Sequence, residues 1–346
     1  MKQATVQVSQ PRERVQPGAV SPAGSSRAVV ILAFAAVYLI WGSTYLAIHY
    51  AIQTLPPFLM AATRFLVAGS ILFVWSSFRS NNVRPSLSQW GRAFIIGGLL
   101  LLCGNGGVTW AEKYIPSGLA ALLVAIEPLF IVLLNWMVTR QRPSVKVLLG
   151  VLVGLAGVGL LVSGEFKGGG AGPLMNLIGA GVVVMSALAW AGGSVYANRR
   201  PINLSTSIGS GMQMLAGGSL LFIMALITGD FKHLNFSHTS LVSIVALGYL
   251  ILFGSLVVFT AYSWLVRNVA PAKAATYAYV NPVVAVILGW FIASEPLTVR
   301  TSVAAAIIIG SVVLLITTYG GVEQKKDIEL KRAETSPEPC PTHPCA

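Results

Sequence analysis

Ten stretches of the chain are almost wholly apolar, and short polar connections separate them. They fall near Ala28–Tyr50, Pro57–Phe78, Trp90–Ala111, Ser117–Val138, Val145–Ser163, Asn176–Ala197, Ser207–Thr228, Ser240–Val266, Ala272–Ala293 and Arg300–Gly320. A hydrocarbon core of about 30 Å needs roughly 20 apolar residues at a rise of about 1.5 Å each, and each stretch is of that order. The pattern predicts an all-α integral membrane protein with ten transmembrane helices. Composition agrees, because 55% of residues are hydrophobic and only 10% charged, too few charges for a soluble domain of 346 residues.

The ten stretches read as two sets of five. At an offset of 154, Trp110 falls on Trp264, Lys113 on Arg267, Pro128 on Pro282 and Trp136 on Trp290. Farther upstream the register slips slightly, with Gly104 meeting Gly254, and Gly42-Ser43 meeting Gly193-Ser194. An odd number of spans per set forces the second to enter the membrane in the opposite sense. Inverted repeats around a central cavity generate two nearly equivalent conformations, each open to one side, as secondary transporters require. The expected organisation is a tail over 1–27, a first repeat over 28–166, a second over 176–320 and a tail over 321–346. Both tails read as disordered: the first residues are rich in Ser, Pro, Gln and Arg without an apolar signal core, and Pro recurs through the last ten.

Net charge is +12, which would suggest nucleic acid if the cations were clustered. They sit instead in alternate connections: 18 of the 23 Lys and Arg fall on one side, with Lys113, Lys167, Lys232 and Arg300 on the other and Arg64 inside a span. By the positive-inside rule both termini are cytoplasmic. The implied partners are a small-molecule substrate and the lipid bilayer, without nucleic acid, and a homodimer stays open.

Polar groups inside the spans are the candidate chemistry. Arg64 and Glu127 both fall near the membrane midplane, where a charged side chain costs roughly 2.5–3.5 kcal/mol on insertion scales. Whether they pair or each faces the cavity is open on sequence. Glu127 precedes Pro128, which lacks an N–H and interrupts the helix ladder, so a carboxylate and free carbonyls coincide there. That combination could carry a proton. Asn281-Pro282 is the equivalent break in the ninth span, preceded by Tyr277 and Tyr279. Further substrate-binding candidates are Trp41, Ser43 and Tyr45 in the first span, Asn105 and Thr109 in the third, Trp190, Ser194 and Tyr196 in the sixth, and Tyr262 in the eighth. Any one of them could equally pack between helices or anchor at an interface. Small residues of the fifth span, Gly150, Gly154, Gly157 and Gly159, suit close helix packing.

Several signatures are missing. No Gly-x-x-x-x-Gly-Lys-Ser/Thr loop supports an ATPase, and no Gly-x-Ser-x-Gly elbow supports a hydrolase, so no enzyme and no cofactor is expected. Cys340, His343 and Cys345 in the Pro-rich tail are weak as a metal site, and Cys103 reads as a small buried apolar residue.

The motifs Trp41-Gly42-Ser43-Thr44-Tyr45, Pro56-Pro57 with Arg64-Phe65, Gly104-Asn105-Gly106, Pro116-Ser117-Gly118, Pro128-Leu129-Phe130 and Tyr277 to Val284 carry a resemblance over about 29–317. Together they resemble the EamA family of the drug/metabolite transporter superfamily, and within it the YedA-like bacterial permeases. The resemblance implies a multi-pass exporter of the bacterial inner membrane with five-plus-five inverted helices. It implies a cavity lined chiefly by spans one, three, four, six, eight and nine, which would leave Arg64 facing it less directly. Ser294 stands where the family commonly has Gly, and the residue before the fourth-span proline is not uniformly acidic in the family. The leading expectation is a secondary transporter, an exporter of amino acids, related metabolites or drugs; the alternative is a passive facilitator.

Overall fold

Only a helix satisfies every backbone N–H and C=O within a lipid-facing segment, and the apolar runs fold accordingly. The computed structural model describes residues 27–79, 84–140, 143–162, 172–269 and 277–314, and helices dominate them, without a strand. We number the helices α1 (Arg27–Ala51), α2 (Pro57–Arg79), α3 (Leu87–Ala111), α4 (Ser117–Thr139), α5 (Val145–Val162), α6 (Pro173–Arg199) and α7 (Thr206–Ile227). Then come α8, whose segments are Leu241–Ile251, Leu252–Val257 and Val258–Asn268, α9 (Tyr277–Ile292) and α10 (Val299–Leu314). Seven are long and apolar enough to cross a membrane, namely α1 to α4 and α6 to α8. The apolar helices α5, α9 and α10 are shorter, and each borders residues outside the described ones. Both predicted tails and the Cys340–Cys345 cluster also lie outside.

The packing pairs are reciprocal. α2 lies along α7, α1 packs on α8 and α9, and α6 packs on α3 and α4. Glycines make the closest of these contacts. A Cβ on Gly97 of α3 would come within 2.6 Å of Gln213 O and 2.7 Å of Gly217 N on α7, so backbone meets backbone. Gly69 of α2 and Gly211 and Gly218 of α7 serve the α2–α7 seam similarly. Gly154 and Gly157 place α5 against Leu129, Ser311 and the 307–308 turn of α10, the packing role their spacing predicts. Gly159 touches nothing there, and Cys103 is exposed rather than buried, because its position on α3 points away from the bundle.

Two helices widen locally. π-helical turns occupy Gly98–Gly106 of α3 and Leu252–Val257 of α8, and Gly104 and Gly254, matched in sequence, lie one in each. An extra residue per turn puts backbone carbonyls out of register with their donors, a device common at functional sites. α4 breaks between Val124 and Glu127, as its proline predicts. The expected break in α9 is absent: the helix continues through Pro282. Proline there removes one ladder bond, while α1 crosses closely, with Gly42 facing Val284 so tightly that a Cβ would lie 2.6 Å from its Cβ.

Hydrogen bonds tie the two sets of helices together mostly at the end where α1 finishes, here the far end. Asp230, just past α7, accepts from Phe58 N and Leu59 N at the start of α2 at 2.9 and 3.0 Å. Glu295, past α9, accepts from Ser117 N at 2.7 Å, Ser117 Oγ at 2.6 Å and Gly118 N at 2.9 Å at the start of α4. Ser243 Oγ donates to Tyr50 O at 2.8 Å, and Ser240 N to Thr54 Oγ1 at 3.2 Å. At the opposite end Arg92 donates to Pro201 O at 2.8 Å.

Candidate functional site

A cavity of about 260 Å³ opens where the broken and widened helices converge. α1 contributes Trp41, Thr44, Tyr45 and Ile48; α3 contributes Leu100, Leu101, Gly104, Asn105 and Val108; α4 contributes Val124 and Glu127. The opposite wall is Ser186, Ala187, Trp190 and Ser194 of α6 with Gly254, Ser255, Phe259 and Tyr262 of α8, and Tyr277 and Asn281 of α9. α2 and α7 also reach it through Arg64, Phe65 and Met214. Arg64 therefore lines the cavity directly, contrary to the expectation drawn from the resemblance.

Each π turn has a local consequence. In α8 it frees the Gly254 carbonyl, which accepts from Arg64 Nη2 at 3.0 Å, while Ser255 Oγ accepts from Nε at 3.0 Å. Nη1 has no hydrogen-bond partner among the described residues, and the guanidinium lies 4.8 Å from the Phe65 ring centre. In α3 the turn carries Asn105 inward, where its Oδ1 accepts from Thr109 at 3.4 Å. Gly104 must be bare because Trp190 lies over it, 2.9 Å from where a Cβ would stand.

The acid stands apart from the cation. Glu127 is 8% exposed at the start of the second half of α4, and no ion pair joins it to Arg64 among the described residues. A proline in the first turn of that half-helix costs nothing, since the N–H it lacks would have no partner there. Three rings from three helices close the neighbouring wall: Trp41 lies 5.0 Å from both Tyr262 and Tyr277, which lie 5.5 Å apart. Asn281 Oδ1 is buried without a partner among the described residues. The site thus offers an unsatisfied guanidinium N–H, a carboxylate, a free amide oxygen and aromatic faces.

Other predicted residues sit elsewhere. Ser43 turns from the cavity to Tyr249 Oη at 2.6 Å, and its neighbour Thr44 takes the lining position. Thr109 is fully buried behind Asn105, which it orients. Tyr196, Pro128 and Pro282 are not on the lining, and the Tyr279 side chain lies outside the described residues. Sequence reasoning passed over Glu112, which is 3% exposed with neither carboxylate oxygen hydrogen-bonded. The one signal was its spacing of seven from Asn105, which places both on one face of α3.

The profile of the EamA-like transporter family matches the chain twice, over residues 28–163 and 177–317. The chain belongs to the EamA-like transporter family. Among relatives, the uncharacterised inner membrane transporter YedA of Escherichia coli (strain K12) is 40% identical over 281 residues, 81% of this chain and 88% of that protein. YvbV of Bacillus subtilis, an uncharacterised transporter, is 25% identical over 84% of this chain and 92% of its own. Protein PecM of Dickeya dadantii is also 25% identical, over 84% and 94%. One solved crystal structure superposes with a TM-score of 0.57 at 23% identity, covering 84% of this chain and 96% of the other, and supports the fold alone. With these relatives and its apolar helices, this EamA-like protein is a multi-pass membrane transporter.

Proposed function

We propose that the chain is a secondary exporter of small metabolites, amino acids or related compounds, working by alternating access in the bacterial inner membrane with both termini in the cytoplasm. The observation that carries this is the cavity itself, amphoteric and walled by aromatic rings at the meeting of both sets of helices. Its size selects among cargoes. About 260 Å³ lies just under the range of about 300–1,000 Å³ usual for ligand pockets, which favours one small metabolite over a large drug. Arg64 Nη1 suits a carboxylate, Glu127 an ammonium, and the Trp41, Tyr262 and Tyr277 rings an apolar body. The reciprocal packing of α1 and α6 and the repeated π turns support a five-plus-five inverted arrangement. Glu127, on the cavity lining, is the group that exchanges a proton during transport.

The test is a thermal-shift screen of the purified protein against amino acids, nucleosides, sugars, polyamines and common drugs, followed by flux of each hit into proteoliposomes. The expected hits carry both a carboxylate and an ammonium. Glu127→Gln is expected to remove the dependence of uptake on a pH gradient while counterflow exchange continues. Unchanged gradient dependence would sink the coupling role, and flux with no gradient dependence in the parent would make the protein a facilitator.

A further inference from the structure

Past the cavity-lining part of α3, toward the far end of the bundle, stands a buried acid outside the transport chemistry above. Glu112 follows the last residue of α3 and lies one helical turn beyond Val108, on the face that also carries Asn105. Along α3 it therefore lies farther toward the far end than Val108, which lines the cavity. It is 3% exposed, and neither carboxylate oxygen finds a hydrogen-bond donor among the described residues. A charged carboxylate in such a place costs several kcal/mol, so this is an unusual group to bury without a role.

Lys113, next along the chain, is exposed, and the other charged groups near Glu112 among the described residues are two. Glu295 approaches from the turn past α9, Arg64 from α2, and Tyr45 is the titratable group on α1. α6 packs on the 111–115 turn at Gly179 and has no charged residue from Pro173 through Asn198. Glu295 is also the far-end clasp, holding Ser117 and Gly118 of α4 by three hydrogen bonds. A negative Glu112 would face that carboxylate with no donor of its own. Burial first, and then Glu295, push the Glu112 carboxyl well above the usual carboxylate range, with Arg64 acting against them.

We propose that Glu112 is a proton-binding site whose occupancy holds the far end of the transporter closed. As the neutral acid it fits its dry position and leaves the Glu295 clasp intact. When its O–H gives the proton to water on the far side, the remaining carboxylate repels Glu295 and requires hydration, and both demands are met by opening that end. Reclosure takes a proton back from the same water. One proton is thus released to far-side water and regained from it with each opening, with no net crossing, and it is distinct from the one exchanged at Glu127. The inference rests on the alternating-access reading above, and its test separates the two.

The test follows how fast a membrane-impermeant thiol reagent reaches the cavity from the far side in right-side-out vesicles. Cys103, Cys340 and Cys345 are replaced by Ser, and Val108→Cys reports the cavity. Ser237→Cys, on the exposed far-end turn, reports thiol ionisation alone. The rate at position 108 relative to position 237 is expected to rise about tenfold between pH 6 and pH 9, as a population shift would give. Glu112→Gln is expected to flatten that rise, with the slow value at both pH values, and Glu112→Asp to preserve it. A flat ratio in the parent, or an equal rise in Glu112→Gln, overturns the proposal while leaving alternating access standing. Because the parent ratio decides the first point, a poorly folding Glu112→Gln does not blunt the test. If position 108 is reached only in inside-out vesicles, at any pH, the far end never opens and both readings fall.

Discussion

Ser294 is one of two non-glycine residues held at positive φ among the described residues, at 55°, and the turn it makes sets Glu295 over the start of α4. L side chains adopt that region at a cost that glycine avoids. Ser294→Gly is therefore expected to stabilise the protein by about 1 kcal/mol, read as a higher midpoint of thermal unfolding in detergent. No change would mean that the Ser294 side chain compensates. Gly289 meets the opposite demand: Glu295 folds so closely over it that any side chain would collide with the carboxylate. At this scale Arg64 and Glu127 were legible in the sequence, because a charge in an apolar run stands out wherever it faces. Glu112 was not, since an acid beside Lys113 at the end of a span resembles any interfacial charge.

Helices in this chain end on groups supplied by distant segments. The start of α2 takes its cap from Asp230, some 170 residues away, whose other oxygen accepts from Thr228 Oγ1 at 3.0 Å. A carboxylate facing free N-terminal amides combines a charge-assisted hydrogen bond with the helix dipole. Asp230→Ala is expected to lower stability by about 1–3 kcal/mol, and Asp230→Asn by less, because the amide oxygen still accepts. Thermal unfolding of the three proteins in one detergent would check the order; equal stability of Asp230→Ala and parent would count against the cap. The break in α4 was legible from Pro128, whereas the same logic failed at Pro282. The difference lies in packing, since α1 crosses α9 at Gly42 and leaves no room for the helix to unwind.

Across the whole molecule, the end-to-end hydrogen bonds between the two sets of helices are unequally shared among the described residues, with Asp230, Glu295, Ser240 and Ser243 at the far end and Arg92 at the other. The far end therefore holds most of the clasps that opening it would have to break. A disulfide across Thr54→Cys and Ser240→Cys, formed with copper phenanthroline where Ser240 N now meets Thr54 Oγ1, is expected to abolish flux of a cargo found by the binding screen. Reductant is expected to restore it. Undiminished flux through the cross-linked protein would mean that the far end does not need to open.

The apolar runs, their approximate ends, the doubled motif plan and the presence of an acid and a cation inside the spans were all decided by sequence, because bilayer thickness and hydropathy act on each segment separately. Which polar side chains share one cavity was decided only by tertiary structure. Thr44 rather than Ser43 lines it, Thr109 supports Asn105 from behind, and a π turn a long way along the chain positions Arg64. A neighbouring residue or an altered helical pitch rotates a side chain by about 100° per residue, and nothing in the local sequence records what the opposing helix then presents.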